Sequence, residues 1–92
     1  MIKTKNVKLD INDAVTVEIA LCEWFYTTMR KKVTSELEAD ARRYHAEAVI
    51  DIVNRLGDTF HHSKISNRKS NAMNEELEKW VEKNAKWFES DK

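Results

Sequence analysis

The sequence predicts an all-α fold: a helical hairpin plus a third amphipathic helix, preceded by a short extended N-terminal arm. Three observations predict it. The 92 residues include one glycine, Gly57, and no proline, whereas sheets joined by tight turns use both freely. Apolar residues recur at three- and four-residue spacing along three separate stretches, the period of a helix with one covered face. Hydrophobic residues make up 41% and charged residues 35% of the chain, a globular rather than a disordered balance. The length suits a single helical domain over 1–92, with a modest core.

Residues 1–11 read as the arm, because Val7, Leu9 and Ile11 alternate with polar residues. The same alternation continues through Val15, Val17, Ile19 and Leu21, so a β-hairpin over 7–21 turning at Asn12-Asp13 is the rival reading. Helix is favoured over 12–33. Its stripe is Val15, Ile19, Cys22, Tyr26, Met29 and Val33, widened by Leu21, Trp24, Phe25 and Thr28. Asn12 or Asp10 can cap it, and Arg30, Lys31 and Lys32 lie at its negative end.

Ser35 and Glu38 have capping-box spacing, which starts a second helix over 36–56. The expected inner face is Leu37, Ala41, Tyr44, Ala48, Ile52 and Leu56, flanked by Val49 and Val53, with Gly57 as the stop. Glu38–Arg42 and Asp51–Arg55 are four-residue ion pairs on this helix. One unbroken rod through Val33 and Leu37 would also keep the stripe in phase. Residues 57–70, GDTFHHSKISNRKS, lose the periodicity and read as a basic linker. A third helix over 71–89 carries Met73, Leu77, Trp80, Val81, Trp87 and Phe88, braced by Glu75–Lys79 and Glu82–Lys86. Lys79-Trp80-Val81-Glu82 returns seven residues later as Lys86-Trp87-Phe88-Glu89, which would put both tryptophans on one face.

Sixteen basic residues cancel sixteen acidic ones, against the positive excess of a dedicated nucleic-acid binder. The lone Cys22 excludes an intrachain disulfide and suits a reducing, cytoplasmic setting. Its apolar neighbours make it a small buried hydrophobe. Neither a signal-peptide pattern nor a membrane span is expected. No metal or cofactor is expected, because the histidines and carboxylates lack the three- or four-residue spacing that makes ligands converge. Tyr44, His45 and Glu47 can be assembled into a catalytic dyad only on paper, so the chain reads as non-enzymatic.

Two features then compete. Trp24, Phe25, Trp80, Trp87 and Phe88 give more ring surface than three short helices need to bury, and accessible Trp dominates binding energetics. This predicts partner binding through these five residues, with self-association into a homo-oligomer. The alternative is an anion, nucleotide or nucleic acid held by the basic linker through His61, His62, Lys64, Arg68 and Lys69.

Val7-Lys8-Leu9-Asp10-Ile11, the apolar helix, and the charged helix ending Arg55-Leu56-Gly57 resemble small phage-encoded helical proteins in pattern and size, over about residues 7–57. The resemblance implies an accessory role, as an adaptor or an inhibitor binding another protein, and transfers no functional residue.

Overall fold

The computed structural model describes residues 8–88. Its helices are α1 (Ile11–Met29), α2 (Glu36–Thr59) and α3 (Ser63–Lys83), followed by a 3-10 turn at Ala85–Trp87. Helices α2 and α3 form the main hairpin, and α1 lies on it, more on α2 than on α3. There is no strand among the described residues, so the hairpin reading of 7–21 is replaced by helix from Ile11 onward. Most of the expected arm lies outside the described residues.

Each helix begins where the local chemistry supplies a partner for its free N–H groups. Asp10 caps α1 in a full capping box: its carboxylate accepts from the Asp13 N–H at 2.8 Å, and Asp13 accepts from the Asp10 N–H at 3.1 Å. Ser35 Oγ caps α2 by accepting from the Glu38 N–H at 3.1 Å. The Glu38 carboxylate does not complete that box. It accepts instead from Thr34 Oγ1 at 2.9 Å and from Arg42 Nη2 at 2.6 Å. Arg42 also donates to the Lys31 carbonyl at 2.6 Å. With Val33 buried in the core, these bonds fix the 30–35 connection and separate α1 from α2, so the two helices are not one rod.

Helix α2 runs past Gly57 to Thr59, a correction to its expected end. The left-handed position that terminates it belongs to His61, at φ 60°. The His62 N–H then donates back to the Gly57 carbonyl at 2.9 Å, the six-to-one bond of a Schellman ending. Gly57 is glycine for a different reason. A Cβ there would stand 2.5 Å from both Cβ and Oγ of Ser66 on α3, so the α2–α3 hairpin closes only around a bare Cα. The expected linker 57–70 therefore shrinks to Phe60–His62, and α3 starts at Ser63 rather than at residue 71. At the far end, Asn84 Nδ2 donates to the Trp80 carbonyl at 2.9 Å and α3 stops at Lys83. Trp87 thus leaves the helical phase that the repeated tetrapeptide implied.

The core is Phe25, Val33, Ala39, Ala46, Val49, Ile50, Val53, Met73, Leu77 and Trp80. Two inner faces differ from expectation. Helix α2 is turned so that Ala39, Ala46 and Gly57 face inward with Val49, Ile50 and Val53. Leu37 and Tyr44, expected inside, are 80% and 71% exposed. Small residues let the neighbouring helices approach closely, and dispersion grows with that closeness. Helix α1 is turned by one residue, burying Ala14, Glu18 and Phe25 and leaving Val15 and Ile19 outside. The extents of 44 × 37 × 22 Å leave room for two helix layers in the thin direction, at about 10 Å per helix. The radius of gyration, 15.1 Å, exceeds the roughly 12 Å of a compact chain of this length.

Candidate functional site

The rotation of α1 follows from one buried acid. Glu18 is completely inaccessible, and a buried carboxylate is tolerable only when its oxygens are paired. Helix α3 supplies the pairs. Ser66 Oγ donates to Glu18 Oε1 at 2.6 Å, His62 Nε2 lies 2.9 Å from the same oxygen, and Lys69 Nζ lies 3.4 Å from Oε2. Burial pushes the Glu18 pKa up, but the Ser66 and His62 hydrogen bonds and the His62 and Lys69 charges outweigh it. The carboxyl is held below its ordinary value. Ser70 Oγ donates to Asn54 Oδ1 at 2.7 Å and continues the polar seam between α2 and α3. His62 Nδ1 is buried without a hydrogen-bond partner among the described residues.

This joint holds a serine, a histidine and a carboxylate, yet its geometry is structural. Ser66 donates its hydrogen bond to the Glu18 carboxylate, and its side chain is fully buried, beyond the reach of a substrate. Among the described residues no three His, Cys, Asp or Glu side chains gather where they could hold a metal. No helix of the described residues is long and apolar enough to cross a membrane.

Because Glu18 points inward, the apolar residues one position along point outward. Ile11, Val15 and Ile19 are 51%, 37% and 55% exposed, at four-residue intervals on one side of α1. Ile19 continues into a groove of about 420 Å³ lined by Cys22, Tyr26, Arg68, Lys69 and Ala72. Burial lifts the Cys22 thiol and the Tyr26 hydroxyl above their ordinary pKa values, so both groups are neutral at pH 7. Ile65, on the same side of α3 as Arg68 and Ala72 by helical period, is 56% exposed. The α1 face is therefore an uncovered apolar stripe about 12 Å long from Ile11 to Ile19 at 1.5 Å per residue, and the groove prolongs it past the half-buried Cys22 and Tyr26.

The residues expected to bind a partner are divided by the fold. Phe25 and Trp80 lie in the core and offer no surface, which corrects their assignment. Trp80 packs against Phe88 with centroids 5.7 Å apart, and Phe88 carries the Arg43 guanidinium 5.1 Å from its ring. Trp87 is half-buried. Trp24 is exposed on the opposite side of α1 from Ile19, edge-on to His45 at 6.5 Å, with Tyr44 edge-on to the same imidazole at 5.4 Å. The linker residues are also divided. His62 and Lys69 are committed to Glu18, His61 holds the left-handed position, and Lys64 and Arg68 project from α3. They form no single anion cradle.

Residues Ile11, Val15, Ile19 and Ile65 escaped the sequence reading as surface residues. A signal was present: apolar residues cover more of the α1 circumference than two neighbours can hide, so some had to face outward. Compared with protein families, curated proteins and solved structures, the chain matches none, and its function is read from its own residues.

Proposed function

We propose that this chain is a non-enzymatic interaction module that pairs with a second copy of itself through the outward face of α1. The observation that carries this reading is the exposed Ile11–Val15–Ile19 stripe, which the neighbouring groove extends between α1 and α3. Only part of the apolar surface is buried in a thin two-layer molecule, and a second copy laid on α1 completes the layer that is missing. The rims favour an isologous pair. Arg68 borders the stripe on the α3 side, while Glu23, one turn from Ile19, borders it on the other. A twofold axis brings each Arg68 toward the other copy's Glu23. Such rim charges set register, and the desolvated stripe supplies affinity.

Light scattering on the purified chain tests this. The expected result is a dimer mass at micromolar concentration, and an Ile19→Glu variant of monomer mass with an unchanged helical circular dichroism spectrum. A wild type that remains monomeric under these conditions overturns the reading.

A further inference from the structure

The far end of the molecule carries a second feature, independent of the α1 face. A cleft of about 550 Å³ opens between the α1–α2 connection and the last turns of α3, within the size range of small-ligand sites. One wall is Arg30, Lys31 and Lys32; the other is Lys79, Lys83 and Lys86. The only lining carboxylate among the described residues is Glu76. The ion pairs that brace the described helices, Glu38–Arg42, Glu47–Arg43, Asp51–Arg55 and Glu18 with His62 and Lys69, use none of these six cations. In a chain with no net charge, this is a local concentration of positive charge among the described residues. It repels itself and gains from any anion that enters.

The cleft is also built rather than merely exposed. The Arg42 bond to the Lys31 carbonyl and the buried Val33 hold the first wall. The buried Trp80 and the Asn84 cap hold the second. Trp87 lines the cleft, with Lys86 Nζ 5.0 Å from its ring centroid, a cation–π contact that sets this indole among the cations.

We propose that this cleft binds a phosphorylated nucleoside, free or within single-stranded nucleic acid, with its phosphates between the two basic walls and its base against Trp87. Cations on facing walls suit a chain of phosphates, and an indole at their edge suits a base, whose stacking is tolerant of sequence.

The test is titration of the intact chain with ATP, a short oligothymidine, inorganic phosphate and polyglutamate, read by tryptophan quenching and calorimetry at two salt concentrations. The expected result is binding of ATP, the oligonucleotide or both, weakening as salt rises. ATP alone identifies a free nucleotide as the source, and the oligonucleotide alone identifies a single strand. Lys32→Ala with Lys83→Ala, one from each wall, should weaken binding about tenfold or more. Lys8→Ala with Lys64→Ala removes the same charge elsewhere and should leave affinity unchanged. Trp87→Ala should weaken the base-bearing probes and not phosphate. No binding of ATP or oligonucleotide, equal binding of polyglutamate, or unchanged affinity in the two-wall variant overturns the proposal.

Discussion

Two regions of this molecule gather positive charge and use it in opposite ways. At the joint between α1 and α3, His62 and Lys69 close on the buried Glu18, with Ser66 completing the set. At the far end, six cations face one another across an open cleft, with Glu76 the one lining carboxylate among the described residues. Counting basic residues along the chain draws the eye to 61–69, since that run is compact in sequence. The fold reverses the weighting. The local run is partly spent on an internal acid, while cations 47 or more residues apart in the chain meet at the cleft. Pairing, rather than density, separates a structural charge from one available to a ligand.

The largest effect should come from removing the internal acid. Glu18→Ala leaves the buried Ser66 hydroxyl and the His62 ring without their shared acceptor, and each buried polar group left unsatisfied costs about 1–3 kcal/mol. Glu18→Gln, which keeps an acceptor for Ser66, should cost clearly less. Urea denaturation of both variants sharpens the comparison; equal, small losses would mean that the joint contributes no more than a surface pair.

Next comes the close crossing that brings Ser66 to Glu18. Gly57→Ala places a methyl group against Ser66 and should destabilise by about 1–3 kcal/mol through overpacking. Asn71→Ala, at an exposed position of α3, should be near neutral. A Gly57→Ala variant as stable as the wild type would show that α2 and α3 are farther apart than described.

The joint should also respond to acid. The folded-state pKa of Glu18 lies below its unfolded value. Its contribution to stability is therefore present above the ordinary glutamate pKa of about 4.3 and is lost as pH falls through the folded value. Denaturation midpoints measured down the acid limb should fall less steeply in Glu18→Gln than in the wild type. Parallel limbs would contradict the pairing.

The smallest effect concerns His61. Its backbone sits in the left-handed region, which glycine occupies without strain. His61→Gly should raise stability by roughly 0.5–1 kcal/mol, readable as a higher thermal midpoint.

These residues also show how far the sequence could be read. Helix identity was legible because capping side chains and periodicity are local: Asp10, Ser35 and the Glu38–Arg42 and Asp51–Arg55 pairs stand where the spacing put them. Helix orientation was not. Turning α1 outward by one residue buries a glutamate, which no apolar stripe would choose until Ser66, His62 and Lys69 are known to converge on it from 44 to 51 residues away. Gly57 looked like a stop for the same reason, its true partner being Ser66 across the hairpin. The start of α3 was hidden because its first inward residues, Ser66 and Ser70, are polar and pair with Glu18 and Asn54. The cleft was hidden because its walls are remote in the chain.

Cys22 gives the most direct test of the central claim, that the outward face of α1 is covered by a second copy. Its thiol lines the groove beside Ile19, and its labelling rate reports cover at that place. Labelling should slow as protein concentration rises through the micromolar range, and Ile19→Glu should abolish this dependence. A labelling rate that stays the same at every concentration would contradict it.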